Sequence, residues 1–136
     1  IPFVQDNFSR SKKGVLRGLH FQKSSPQGRL VRVISGEVFD VAVDIRLNSP
    51  TFAQWESIIL SDRNRKQLWL PPGFAHGFLV LSDSADLEYK CTDYYNPDDE
   101  GHILWSDPEL AIPWPINDPV ISDKDAAAPL LSDIDL

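Results

Sequence analysis

With 136 residues, 42% of them apolar and 24% charged, the chain has the make-up of one ordinary globular domain that buries about two-thirds of its unfolded surface. A net charge of −7 argues against a nucleic-acid surface, yet leaves room for an anionic small molecule, which needs only a few local cations. The single cysteine, Cys91, excludes an internal disulfide and fits a reducing compartment. A cytoplasmic location is therefore expected, and no apolar run is long enough to span a bilayer. No signal-peptide pattern opens the chain. The sequence holds no methionine, so Ile1 is not expected to be the natural start.

Taken in order, the chain reads as short strands separated by turn signals. After Phe3–Asn7 comes a basic, serine-containing stretch, Ser9 to Lys13, expected as a loop. Gly14-Val15-Leu16-Arg17-Gly18-Leu19-His20-Phe21-Gln22 alternates as a β-strand. Strict alternation would put Arg17 and His20 on opposite faces; a bulge at Gly18 would bring both to one face. The plainer reading, a core histidine beside a solvated arginine, stays open. Arg29–Ile34 and Glu37–Ile45 are expected as strands joined by a two-residue hairpin at Ser35-Gly36. Further strands are expected near Gln54–Leu60, Gln67–Leu70, Ala75–Leu81 and Leu87–Thr92, with Pro71-Pro72-Gly73 as a turn. From Tyr94 to Pro119 prolines are frequent and alternation is lost, as in a segment lying across a finished barrel. Ser122-Asp123-Lys124-Asp125 signals a helix start, with Ser122 as N-cap and Asp125 as capping-box carboxylate; Pro129 limits that helix to little more than a turn. The expected fold is all-β, a sandwich or barrel, as a single domain over 1–136.

Three histidines can be weighed one by one. His20 lies in the bulged strand. His76 belongs to Pro71-Pro72-Gly73-Phe74-Ala75-His76-Gly77-Phe78, whose Pro-x-Gly-x-x-His spacing resembles the second motif of the cupin superfamily, a jelly-roll fold. Metal-binding cupins add a His-x-His pair and a glutamate; the chain has no His-x-His, so a metal site is not expected. His102, beside Gly101 in the irregular third, reads as a surface residue. Tyr89 shares an apolar face with Leu87 and Cys91, and is either a satisfied core tyrosine or a proton donor facing a cavity. Asp125 either caps its helix or orients a distant histidine.

In combination these motifs carry more. Val4-Gln5-Asp6-Asn7, Leu16-Arg17-Gly18-Leu19-His20-Phe21-Gln22, Phe39-Asp40-Val41-Ala42-Val43-Asp44-Ile45-Arg46, Pro72-Gly73-Phe74-Ala75-His76-Gly77-Phe78, Glu88-Tyr89-Lys90 and Ser122-Asp123-Lys124-Asp125 occur in that order. The set resembles the dTDP-4-dehydrorhamnose 3,5-epimerase family, from Phe3 to about Leu131. The resemblance implies a cupin-like jelly-roll barrel with a short helical, proline-rich C-terminal segment, and implies that the family's N-terminal strands are missing. It implies a dTDP-linked 6-deoxy-4-ketohexose as substrate, no cofactor, and a homodimer; charge and apolar run length already argue against a nucleic-acid or membrane partner. His20 would be the base, Tyr89 the acid and Asp125 the group orienting His20. Arg29, where the family usually has lysine, would sit at the enolate oxygen. Gln5, Asp6 and Asn7 would lie near the thymidine and Tyr95 would stack on its base. Arg17, His76, Glu100 and Lys124 would complete contacts to nucleotide, diphosphate or sugar. A relative that epimerises one carbon, or a catalytically silent sugar-binding module, are the alternatives.

Overall fold

The computed structural model describes residues 2–136. Among these, strands β1 (Gln5–Lys12), β8 (Ser84–Cys91), β3 (Arg29–Ser35) and β6 (Gln67–Leu70) form one antiparallel sheet in that order. The second sheet has the order β5 (Trp55–Ser61), β4 (Glu37–Asp44), β7 (Phe74–Val80), β2 (Leu16–Gln22) and β9 (Glu100–His102), also antiparallel. The all-β expectation holds.

Two apolar layers result from the alternation in β4. Val38 faces the first sheet, where it packs with Leu60, Phe78 and Val80 against Val31, Val33, Ala85 and Leu87. Val41 and Val43 face the other way, with Leu16, Leu19, Phe21 and Leu79, and are covered by Ile103, Leu110, Ile112, Trp114 and Leu131. The proline-rich final third thus lies across the outer face of the second sheet, as its composition suggested. Trp55 Nε1 donating to the Leu110 carbonyl, 2.8 Å, and Trp114 Nε1 donating to the Trp105 carbonyl, 2.9 Å, fasten it there. Side chains such as Leu79, fully buried, each contribute about 1.5–3 kcal/mol through removal of apolar surface from water.

Three local expectations change. Ser35-Gly36 is no hairpin: β3 and β4 lie in different sheets, and Gly36 is the corner between them. Its φ is +97°, and a Cβ there would stand 2.3 Å from the Ser84 carbonyl oxygen, so the corner suits glycine alone. The basic stretch after Asn7 continues β1 to Lys12, since Arg10 and Lys12 point outward and Arg10 pairs with Asp86 across the strand, 2.8 Å. The residues 100–102, read as irregular, form β9 on the edge of the second sheet.

Candidate active site

The site begins at the bulge in β2. Arg17 pairs with Phe78 and His20 with His76, so two residues of β2 intervene where β7 supplies one, and the register shifts between them. Gly18 has φ +138°, and a Cβ on it would stand 2.6 Å from the Gly77 Cα. Two glycines back to back let the strands approach there, and the shift turns Arg17 and His20 to the same cavity. The edge strand β9 pairs with β2 from Phe21 and Gln22 back to His20, which leaves the Gly18 N–H free for another acceptor.

That acceptor is Asp125. The helix α1 (Asp123–Ala126) is one turn long, with Ser122 as its N-cap accepting from the Asp125 N–H at 3.2 Å. The Asp125 carboxylate does not close a capping box. It turns instead to β2: Oδ2 accepts from the Gly18 N–H at 3.2 Å, and Oδ1 lies 2.6 Å from His20 Nε2. Burial works to raise the carboxyl pKa, but the hydrogen bonds from His20, Gly18 and His102, with the His20 charge, outweigh it and hold it below the usual carboxylate value. Asp125 is therefore an ionised, 6%-exposed acceptor for a 26%-exposed imidazole.

His102 is the residue the sequence reading missed. Far from lying on the surface, it pairs with His20 across β2 and β9 and meets its ring edge-on, centroids 4.8 Å apart. Its Nδ1 is 3.3 Å from Asp125 Oδ1, and its Nε2 is 3.1 Å from Glu100 Oε1 in a geometry too bent for a hydrogen bond. Burial and the neighbouring His20 keep its pKa below the usual imidazole value, against Glu100 and Asp125. Only the pairing of β9 with β2 reveals this, and residues 100–102 carry too short a pattern to announce a strand. The expectation of no metal rested on His20 lacking companions; His20, His102 and Asp125 in fact each offer a ligand atom within 4.8 Å of one another.

Arg17, His20, Glu100, His102, Lys124 and Asp125 line a cavity of about 330 Å³. A larger one, about 430 Å³, opens between β5 and β6 and is lined largely by apolar side chains such as Ile58, Leu68, Trp69 and Phe74. Its aspartate, Asp44, is held ionised by Arg46, Ser49 and Thr51, far below the ordinary carboxylate range. The histidine–carboxylate group lies on the smaller cavity.

The facing sheet contributes the remaining residues. Tyr89 is half-buried among Leu87, Val31 and their neighbours; burial raises its pKa, so the phenol stays protonated, while the charges of Arg29 and Arg17 oppose that shift. The Arg29 guanidinium lies 5.9 Å from the centre of the Tyr89 ring, and its Nε donates to Gln27 Oε1 at 3.1 Å. Gln5 and Asn7 face inward with Tyr89: Asn7 pairs with it across β1 and β8, and Gln5 Oε1 accepts the Tyr95 N–H at 2.8 Å. Burial and the adjacent Glu100 raise the pKa of the Tyr95 phenol. Two residues are not brought in. Asp6 alternates to the outer face, where it pairs with Lys90 at 2.8 Å. His76 is 6% exposed, with Nε2 at 2.9 Å from both carboxylate oxygens of the fully buried Asp40, and it is not among the residues lining the cavity.

With this geometry in place, comparison with known proteins is decisive. The model of the family described as dTDP-4-dehydrorhamnose 3,5-epimerase matches residues 1–133. The chain belongs to that family. It is 60% identical over 133 residues to the dTDP-4-dehydrorhamnose 3,5-epimerase of Salmonella typhimurium, covering 96% of this chain and 73% of that one. A crystal structure of dTDP-6-deoxy-D-glucose-3,5-epimerase from Legionella pneumophila, in complex with dTDP-4-keto-L-rhamnose, superposes with TM-score 0.96 at 64% identity over 98% of this chain and 72% of that one. A 3′-monoepimerase from Streptomyces bikiniensis in complex with dTDP-quinovose gives TM-score 0.91 at 36% identity, covering 96% and 67%. The two-sheet architecture is accordingly the cupin-like jelly roll of these epimerases.

Proposed function

We propose that the chain is a cofactor-independent isomerase that epimerises C3 and C5 of dTDP-4-dehydro-6-deoxyglucose, giving dTDP-4-dehydrorhamnose for rhamnose synthesis. The observation that carries this is the His20–Asp125 pair, 2.6 Å apart across 105 residues and set on a cavity wall beside Arg17 and Lys124. A ketone at C4 acidifies the hydrogens at C3 and C5, and each inversion removes a proton from one face and returns one to the other. His20 takes the proton; Asp125, kept ionised, accepts from Nε2, fixes the tautomer and stabilises the imidazolium that forms. Arg29 stabilises the enolate oxygen. Tyr89 comes from the facing sheet, and its raised pKa keeps it in the protonated form that a donor needs. Gln5, Asn7, Arg17, Tyr95, Glu100 and Lys124 would hold nucleotide, diphosphate and sugar.

We further propose a single domain acting in the cytoplasm as a homodimer. Among the described residues no helix is long and apolar enough to cross a membrane. The outer face of the first sheet carries exposed Phe8, Ile34 and Trp69 set among the Asp6–Lys90, Arg10–Asp86 and Arg32–Glu88 ion pairs, side chains that a second copy would cover.

The test is solvent exchange. In heavy water with the dTDP-ketosugar, NMR should show deuterium entering at C3 and C5 together with inversion. His20→Ala should abolish both. Tyr89→Phe should leave exchange with retained configuration while inverted product falls by about 10²–10⁴-fold. No exchange by the native chain would make it a sugar-binding module. Exchange and inversion at one carbon only would favour the second reading, a single-carbon epimerase, which the likeness to the Streptomyces bikiniensis monoepimerase supports.

A further inference from the structure

We propose that His20, His102 and Asp125 form a site for a zinc-class transition-metal ion, and that an ion bound there shuts off the base assigned to His20. The inhibition rests on the epimerase reading above; the binding does not.

The three side chains come from β2, β9 and α1 and each offers a ligand atom, all within 4.8 Å of one another. Around a tetrahedral ion with bonds of about 2.0–2.1 Å, neighbouring ligand atoms stand about 3.3 Å apart. His102 Nδ1 and Asp125 Oδ1 already hold that spacing, at 3.3 Å. His20 Nε2 and Asp125 Oδ1, at 2.6 Å, need to open by about 0.7 Å as the ion replaces their hydrogen bond, and the two imidazoles, whose ligand atoms stand within 4.8 Å, need to close toward the ion.

The surroundings favour ligation as well. The second oxygen of Asp125 accepts from the Gly18 N–H, which fixes the carboxylate. His102 Nε2 is buried without an aligned partner, although Glu100 Oε1 is 3.1 Å away. With Nδ1 on an ion the ring proton is carried by Nε2, 3.1 Å from Glu100 Oε1, the carboxylate–histidine–metal arrangement that orients ligating imidazoles. Arg17 and Lys124 line the same cavity and oppose a cation; Asp125 and Glu100 offset them. Two imidazoles and one carboxylate select zinc, cobalt or nickel over magnesium or calcium, which take oxygen ligands.

The inhibition follows from the count of protons. A neutral imidazole carries one. With Nε2–H donated to Asp125, the lone pair of His20 is on Nδ1 and can accept a proton from carbon. An ion on Nε2 takes the lone pair there, and the ring proton moves to Nδ1. Nothing is oxidised or reduced; the base is simply held in the tautomer that cannot act.

The experiment titrates the chelator-treated full chain with Zn²⁺, Co²⁺ and Mg²⁺ by calorimetry, with visible absorption for Co²⁺. One Zn²⁺ or Co²⁺ per chain and no Mg²⁺ binding are expected. His102→Ala should weaken Zn²⁺ by more than about 100-fold and Glu100→Gln by about 10–100-fold. If His102→Ala melts early, His102→Gln keeps a polar group without an imidazole and should lose the ion equally. Zn²⁺ at saturation should stop deuterium entry in the native chain, and a chelator should restore it. Each His102 variant should keep its own metal-free rate at the same Zn²⁺ concentration. Equal Zn²⁺ affinity in native and His102→Ala chains would overturn the site, and unchanged exchange at saturation would overturn the inhibition. A native chain that binds Zn²⁺ but shows no exchange without it would bring down the epimerase reading and leave the metal site standing.

Discussion

Two histidines on neighbouring strands of one sheet, His76 and His20, each meet an aspartate, and the two pairs differ in nearly everything except chemistry. His76 and Asp40 sit on adjacent strands β7 and β4, 36 residues apart, 6% and 0% exposed, with Nε2 2.9 Å from both oxygens. His20 and Asp125 are 105 residues apart and join the sheet to the C-terminal segment, 26% and 6% exposed, at 2.6 Å. His20 pairs in register with His76, so the two imidazoles are cross-strand neighbours. The first pair is closed: both carboxylate oxygens of Asp40 meet His76 Nε2, and both side chains are buried. In the second pair the carboxylate is shared with Gly18 and His102, and the imidazole keeps a face on the cavity. The same histidine–carboxylate contact thus occurs in two settings, and exposure to a cavity and an acceptor held from elsewhere in the chain are what distinguish them.

The sharpest break between the pairs is expected in turnover. Asp125→Asn keeps the shape of the carboxylate but removes its charge and presents a donor as readily as an acceptor. Loss of tautomer control in a triad of this logic lowers turnover by about 10⁴-fold, and a similar loss of deuterium exchange is expected here, far larger than the moderate loss of stability that follows from weakening the bonds Asp125 accepts. Native-like exchange would return Asp125 to a structural role. The opposite signature is expected of the closed pair: Asp40→Ala leaves His76 buried without a partner, and urea unfolding should show a loss of about 1–3 kcal/mol with exchange chemistry at His20 retained. If Asp40→Ala instead unfolds at the native midpoint, the pair is not a stabilising element and the contrast fails.

A smaller effect, on turnover more than on binding, is expected at Arg29. It approaches the open pair's side of the barrel from the facing sheet and lies against Tyr89. Arg29→Ala should lower kcat by about 10²–10³-fold, the loss typical of one donor at a developing oxyanion, with a lesser change in KM. Unchanged kcat with weakened binding would make it a phosphate contact. Arg29→Lys tests whether charge or the planar fork matters.

The strands were legible in the sequence because alternation is a local property: Glu37–Asp44 announces itself through Val38, Val41 and Val43. Sheet membership was not, because Gly36 serves a corner with the same residue that a hairpin would use. His20, Tyr89 and Asp125 were reachable through the order of motifs. Asp125 could not be assigned from its own neighbourhood, where the Ser122 cap is equally real. His102 was out of reach for a similar reason. Its partners lie on β2 and α1, and a three-residue edge strand carries no period. Asp6 shows the converse error, in which a motif carried three adjacent residues together although a strand sends the middle one outward.

The smallest expected effect is the pH dependence of stability around the open pair. Two groups around the open pair have folded-state pKa values below their ordinary ones: His102, through burial and His20 against Glu100 and Asp125, and Asp125, whose hydrogen bonds outweigh its burial. In both cases the unfolded chain binds the proton more readily. Stability is therefore present in full above the unfolded value and is lost as pH falls through the folded one. For His102 the loss begins near the ordinary imidazole value of about 6.5, and for Asp125 near about 3.9. One proton taken up on unfolding limits the slope to about 1.4 kcal/mol per pH unit. Urea midpoints of the native chain should thus fall as the buffer is taken below about pH 6.5, and His102→Gln should flatten that first limb while leaving the acid limb of Asp125 in place. A His102→Gln chain whose midpoint follows the native curve throughout would show that His102 contributes nothing to the first limb.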